Sequence, residues 1–159
     1  MRNTPLTLVF IFFVFVVPQL GYTPSSFFIP AVMALSVYTA AFVCEAVRSG
    51  VNSVGVGQAE AARAVGLTFG QTLQAIILPQ ALRTVIPPLI NIFIALTKNS
   101  SVAGGFFVAE LFGTGRQLAN ENPADVVAVL VGVGMFYLVI TIPSGILAAR
   151  VERRVAFAR

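Results

Sequence analysis

The residues of this sequence that could do acid–base or metal chemistry are few and far apart. Its carboxylates near apolar stretches, Glu45, Glu110 and Asp125, fall on different sides and have neither paired-carboxylate nor metal-ligand spacing. The chain has no histidine and a single cysteine, Cys44, which excludes an internal disulfide and the common zinc sites. Its only lysine, Lys98, lacks the G-x4-G-K-[ST] frame that cradles phosphates. These residue types therefore predict neither an enzyme nor an ATPase.

A polar segment that could bind a substrate interrupts one of the apolar stretches. It consists of Lys98, Asn99, Ser100 and Ser101, and we add Asn91 as a further candidate contact. A lysine can pair with the carboxylate of an amino acid, and an ionisable residue inside a membrane span is a functional candidate. In the other interpretation, Lys98 ends a short crossing and extends to the lipid headgroups. Both interpretations remain open from the sequence.

Long apolar helices must position this segment. The chain is 57% hydrophobic and only 10% charged, with a mean hydropathy of +0.91, whereas soluble domains carry roughly 25% charged residues. A membrane-crossing helix needs about 20 mostly apolar residues. We predict an all-α polytopic membrane helix bundle, formed by residues 1–159 as a single domain. The predicted crossings are residues 5–22, 27–47, 85–112 with a break, and 126–149.

The positive charges predict the orientation of these crossings. Basic residues favour the cytoplasmic side of a membrane, and four crossings with Arg2 inside place eight of the ten basic residues there. This predicts cytoplasmic N- and C-termini and a cytoplasmic loop over residues 48–84. Glu110, Arg116 and Glu121 then lie on the outer side, where contact with another protein is one interpretation and ordinary solvated loop charge is the one we favour. No separate basic domain exists, so nucleic-acid binding is not expected.

The cytoplasmic loop is predicted to form a helix–turn–helix hairpin. The first helix covers about residues 58–65 and stops at Gly66. The second covers about residues 69–78, with Thr68 as its N-cap and Pro79 closing it.

The first helix of this hairpin has the composition of a protein-docking surface. Ala59, Ala62 and Gly66 form a stripe of small residues that another surface could approach closely. Glu60 and Arg63, three residues apart, share another face. Helices that rest on lipid carry large apolar anchors and several basic residues instead. We therefore favour contact with protein over contact with lipid.

The spacing along the loop resembles the EAA loop of ABC-importer permeases. Glu60-Ala61-Ala62, three residues, Gly66, nine residues, Ile76, one residue and Leu78-Pro79 match that pattern at every fixed position. Other segments resemble the polar amino acid group, which includes histidine, glutamine and glutamate permeases. They are Arg2-Asn3-Thr4-Pro5-Leu6, Ala40-Ala41-Phe42 with Glu45 and Arg48, Gly57-Gln58, Pro87-Pro88, the polar residues 98–101 and Glu152-Arg153-Arg154. The resemblance covers residues 2–154.

The resemblance implies the transmembrane domain of a type I ABC importer in a bacterial cytoplasmic membrane. The chain would bind no cofactor itself, because ATP and Mg²⁺ belong to a cytoplasmic ABC ATPase dimer. Further expected partners are a second permease subunit, identical or paralogous, an extracytoplasmic amino-acid-binding protein and membrane lipid. The substrate would be a polar amino acid, glutamate or glutamine by resemblance. The implied ATPase-coupling residues are Gly57, Gln58, Glu60, Ala61, Ala62, Arg63, Gly66, Ile76, Leu78 and Pro79.

Two alternatives accompany this interpretation. Permeases of this group usually have five core crossings, with another helix before the segment that begins here at residue 2. The sequence is accordingly interpreted as an N-terminally incomplete permease or a truncated gene model. An ATP-independent channel or secondary carrier would also fit a polar break within a span, but the EAA spacing would then be coincidental.

Overall fold

The computed structural model describes residues 3–156, all of whose regular structure is helical, as the all-α prediction requires. Arg2 and Arg159, which the topology prediction uses, lie outside these residues. In chain order the helices are α1 Leu6–Gln19, α2 Phe28–Asn52, α3 Val56–Ala64, α4 Phe69–Phe106, α5 Leu111–Glu121 and α6 Val126–Ala156.

The described residues contain three helical segments that are long and apolar enough to cross a membrane. They are Phe28–Asn52, Phe69–Phe106 and Pro123–Arg153, the last consisting of most of α6 and the 3₁₀ turn Pro123–Asp125 before it. Helix α1 is apolar but shorter. Length and composition thus identify a protein that crosses the membrane several times.

Helix α4 does not end at Pro79, so the prediction that this proline closes a separate hairpin helix is wrong. The helix widens into a π-turn over Leu73–Ile77 and then continues as a regular α-helix over Leu78–Asn99. A proline inside a helix lacks an N–H and clashes with the carbonyl four residues earlier, and a π-turn accommodates such a disturbance. The same arrangement occurs in α1, where the π-turn Phe12–Val16 precedes Pro18.

The predicted break at residues 98–101 is a change of helix type. The α-helical part of α4 ends at Asn99, and tighter 3₁₀ turns continue over Ser100–Phe106. The segment ends where Phe107 takes a left-handed backbone conformation, with φ of 64°. The helical path therefore continues through the polar residues and is interrupted only after Phe106.

One end of the bundle is held together by an aromatic core. Phe10 of α1 is fully buried and stacks on Phe106, with ring centroids 5.0 Å apart. The other buried members of this cluster are Val9, Val14, Ala31, Ala34 and Ala103. This core joins α1, the first half of α2 and the 3₁₀ end of α4.

At the other end of α2, the helix packs closely against the first half of α4. A Cβ added at Gly50 would overlap the Val85 side chain and lie 3.2 Å from the Ala81 carbonyl oxygen. Since Ala34 of α2 shares the aromatic core with Ala103 of α4, the two helices run antiparallel.

Helix α6 runs antiparallel to both α4 and α5. The Asn91 side-chain amide of α4 donates to the Glu152 carboxylate of α6 over 3.3 Å. On α5, Gly115 faces Val133 so closely that a Cβ would overlap that side chain. Tyr137 of α6 contacts Glu110, the residue before α5.

Candidate functional site

Helix α3 ends in a Schellman motif centred on Gly66, which confirms the predicted stop. The Gly66 amide donates to the Arg63 carbonyl over 3.0 Å, and the Leu67 amide donates to the Ala62 carbonyl over 3.1 Å. Gly66 has φ of +85°, a left-handed conformation that glycine adopts without a Cβ clash.

Helix α4 begins with a capping box, which confirms Thr68 as its N-cap. The Gln71 amide donates to Thr68 Oγ1, and the Thr68 amide donates to Gln71 Oε1 over 2.9 Å. Two local caps therefore define the turn between α3 and α4 and hold the hairpin arms in one relative orientation.

The inner face of the hairpin is covered by its own two arms. Ala62 of α3 is 5% exposed and Thr72 of α4 is 4% exposed. The interpretation of Ala62 as part of a surface open to another protein is therefore wrong, because the first turns of α4, residues 69–77, pack against α3 and cover it. The Thr72 hydroxyl has no hydrogen-bond partner within residues 3–156.

The outer face of the hairpin carries large apolar side chains that the sequence interpretation missed. Val56, Val65 and Phe69 are 71%, 78% and 81% exposed, respectively. Val65 and Phe69 lie on the two sides of the turn, whereas Val56 lies at the opposite end of α3. We call Val65 and Phe69 the hairpin tip. Exposed apolar side chains next to each other typically mark a contact surface, and two large apolar residues that flank a predicted turn could have been recognised in the sequence.

The predicted coupling residues divide between the two arms. Gly57, Gln58, Glu60, Ala61 and Arg63 are exposed along α3, and the Arg63 Nε donates to the Ala59 carbonyl over 3.3 Å. Ile76, Leu78 and Pro79 lie further along α4, with Ile76 half-buried and the other two exposed. The exposed α3 residues and Gly66 are therefore accessible to a partner, whereas Ala62 is not.

Two of the five predicted pathway residues line a cleft between α2 and α4. Asn91 and Asn99 face this space of about 330 Å³, which Ile92, Ala95 and Leu96 also line. Helix α2 contributes Tyr38, Thr39 and Phe42. The sequence interpretation missed the α2 residues, although the spacing of Tyr38 and Phe42 places them on one helix face. The volume is at the lower end of the range for small-molecule sites.

The other three pathway residues do not line this cleft. Lys98 is exposed, and its carbonyl accepts a hydrogen bond of 2.7 Å from the Ser101 hydroxyl. The Ser100 hydroxyl donates to the Thr97 carbonyl over 2.7 Å. Both serines therefore bond to the preceding turn, at the point where the α-helix becomes a 3₁₀ helix.

The neighbours of α4 show the depth of the polar segment in the bundle. Asn91 lies level with Glu152 near the C-terminal end of α6. Ser100 and Ser101 lie beside the Tyr137 hydroxyl, three turns into α6 and about 16 Å from its start. Lys98 lies between these levels, along the apolar length of the bundle.

Glu110 is not a solvated loop charge, so that interpretation is wrong. It is half-buried and caps α5, accepting hydrogen bonds from the amides of Phe112 and Gly113 over 2.9 and 2.6 Å. Its second oxygen also accepts the Tyr137 hydroxyl over 3.0 Å. A glutamate directly before a helix is typical of an N-cap, and this pattern in the sequence could have predicted the role of Glu110.

This architecture defines a class: a multi-pass helical membrane protein with a structured hairpin at one end. The sequence profile of the family described as "Binding-protein-dependent transport system inner membrane component" matches residues 1–157. The chain belongs to this family.

Individual relatives agree with the family. The chain is 43% identical over 153 residues to the probable glutamine ABC transporter permease protein GlnM of Bacillus subtilis, covering 96% of this chain and 70% of the relative. It is 41% identical to the glutamate transport system permease protein GluC of Corynebacterium glutamicum, covering 98% and 73%. A crystal structure of an amino acid ABC transporter with histidines superimposes with a TM-score of 0.88 at 29% identity, covering 96% and 71%.

Proposed function

We propose that this chain is the membrane-spanning permease subunit of an ATP-driven importer for a polar amino acid, glutamate or glutamine in type. The observation that carries the proposal is the capped hairpin with its exposed apolar tip, in a chain of the binding-protein-dependent transport family. Relatives with glutamine and glutamate in their names support the substrate class.

The hairpin is the proposed coupling element. Its tip and the neighbouring charges of Glu60 and Arg63 dock onto a cytoplasmic ABC ATPase, which holds ATP and Mg²⁺ in its own dimer. The rigid turn at Gly66 lets force on one arm move both arms together. The chain itself hydrolyses nothing and binds no cofactor.

The proposed substrate pathway runs along α4 past Asn91, Lys98, Asn99, Ser100 and Ser101. The cleft between α2 and α4 supports it, because two asparagines, a tyrosine and a threonine offer hydrogen bonds beside apolar walls. The level of Lys98 within the bundle favours contact with a substrate carboxylate over an interfacial role.

The proposed assembly contains a second permease subunit, identical or paralogous, and an extracytoplasmic amino-acid-binding protein. The chain lies in the bacterial cytoplasmic membrane among its lipids, with both termini cytoplasmic. The antiparallel packing of α4 and α6 supports this orientation, since it directs the arginine-rich end of α6 towards the hairpin side.

The test is reconstitution in proteoliposomes with the ATPase and binding protein of the same transport system. We expect ATP-dependent uptake of glutamate or glutamine from a panel of amino acids. Glu60→Arg should lower both uptake and ATPase retention on the purified permease, because it reverses charge beside the hairpin tip. Glu121→Arg is the matched control, since it makes the same change on an exposed glutamate at the end of α5.

Two results would contradict the proposal. Uptake driven by a proton or sodium gradient without the ATPase would identify a secondary carrier instead. Equal ATPase retention by the wild type and Glu60→Arg would remove Glu60 from the docking surface.

A further inference from the structure

A polar cluster at mid-length of the bundle joins three helices. The Glu110 carboxylate uses both oxygens: one accepts the Gly113 amide, and the other accepts the Phe112 amide and the Tyr137 hydroxyl. Glu110 thus caps α5 and also ties that cap to α6. Hydrogen bonds to a charged group are roughly twice as strong as neutral ones, and weak local screening increases their effect.

The same cap is in backbone contact with the 3₁₀ end of α4. A Cβ at Gly104 would lie 2.6 Å from the Gly113 amide nitrogen, and a Cβ at Gly113 would lie 2.9 Å from the Gly104 Cα. The Arg116 guanidinium donates to the Gly104 carbonyl over 3.2 Å. The start of α5 and the 3₁₀ segment therefore pack as one unit.

The 3₁₀ segment begins with the serines of the polar segment, and these lie beside the Tyr137 hydroxyl. We propose that Glu110 and Tyr137 are positioning residues for translocation, which hold residues 98–101 at a fixed depth and orientation against α6. The claim that residues 98–101 contact the substrate rests on the proposed function. Their placement by the cluster is a separate structural claim.

Tyr137→Phe is the informative variant because it removes one hydroxyl and leaves Glu110 capping α5. Tyr22→Phe is the matched control, since the same hydroxyl is lost from a tyrosine that is 49% exposed outside the helices. In the reconstituted complex, Tyr137→Phe should raise the KM for uptake about 10-fold, the effect of losing a hydrogen bond to a charged acceptor. The basal ATPase rate should remain at the wild-type value, the melting temperature should fall by only a few degrees, and Tyr22→Phe should change none of these quantities.

A second readout measures placement without transport. Lys98→Cys in a Cys44→Ser background provides one thiol, whose reaction rate with a water-soluble maleimide reports the position of the segment. Adding Tyr137→Phe should change the maleimide reaction rate about 10-fold relative to Lys98→Cys alone. Adding Tyr22→Phe should leave this rate within about twofold of the same reference.

The outcomes separate the two claims. Absence of ATP-dependent uptake by the wild type would overturn the proposed function, and the labelling rates would still decide the positioning role. Unchanged labelling in Tyr137→Phe would overturn the positioning role. A lower melting temperature and maximal rate with an unchanged KM would also overturn it, because that pattern belongs to a purely structural brace.

Discussion

Adding one methyl group to the hairpin should have opposite effects at two glycines. Gly66 has φ of +85°, and no atom lies within 4 Å of the place where a Cβ would stand. The effect of Gly66→Ala is therefore backbone strain alone, roughly 1–2 kcal/mol for an L-residue held in the left-handed region.

Gly57 provides the matched comparison. It lies in helix α3, and its Cβ position is also open. Alanine loses less conformational freedom than glycine on folding, which is worth at most roughly 0.5–1 kcal/mol for a residue in the first turn of a helix, such as Gly57. Gly57→Ala should therefore stabilise the same hairpin that Gly66→Ala destabilises.

Hydrogen–deuterium exchange on the purified chain would measure both effects locally. The reporting amides are those at positions 66 and 67, which donate to Arg63 and Ala62. Gly66→Ala should accelerate their exchange roughly 5–30-fold, and Gly57→Ala should slow it. Exchange in Gly66→Ala that matched the wild type would refute the argument that the left-handed glycine determines the turn.

Two further substitutions test the packing. Thr72→Val should raise the local unfolding free energy of the hairpin by about 1 kcal/mol, since it replaces a buried hydroxyl with no described partner by a methyl group; exchange of the same amides measures it, and faster exchange would contradict the prediction. Gly50→Ala should cost about 1–3 kcal/mol by forcing α2 away from Val85. Thermal unfolding in detergent checks it, and Val85→Ala should restore part of the loss, so a fully additive double variant would count against the contact.

The caps of the hairpin could be predicted from the sequence because they depend on residues that are close together along the chain. Gly66 and Thr68 act through hydrogen bonds to residues at most five positions away. The burial of Ala62 could not be predicted, because the sequence pattern does not give the register in which the two arms of the hairpin pack. The continuation of α4 past Pro79 could not be predicted either. A proline normally ends a helical pattern, and only the π-turn before it lets this helix continue.

Local sequence patterns do not predict the polar contacts between helices. Glu110 and Tyr137 are 27 positions apart, and no periodicity relates them. Likewise, Asn91 and Asn99 were selected on chemistry, but the cleft that they face also needs Tyr38 and Thr39 from a helix whose register against α4 depends on Gly50. Residue types identified the polar positions, and the packing of the helices determined their partners.

The continuity of α4 has a mechanical consequence. Its 38 residues from Phe69 to Phe106 form a helical segment about 60 Å long, with the hairpin at one end and the Phe10 stack at the other. A sideways force on the hairpin end would act as torque on the whole segment, with no separate element in between. The π-turn Leu73–Ile77 lies next to the hairpin and is the natural flexure of this lever, so its stiffness should set how much of the stroke reaches the far end.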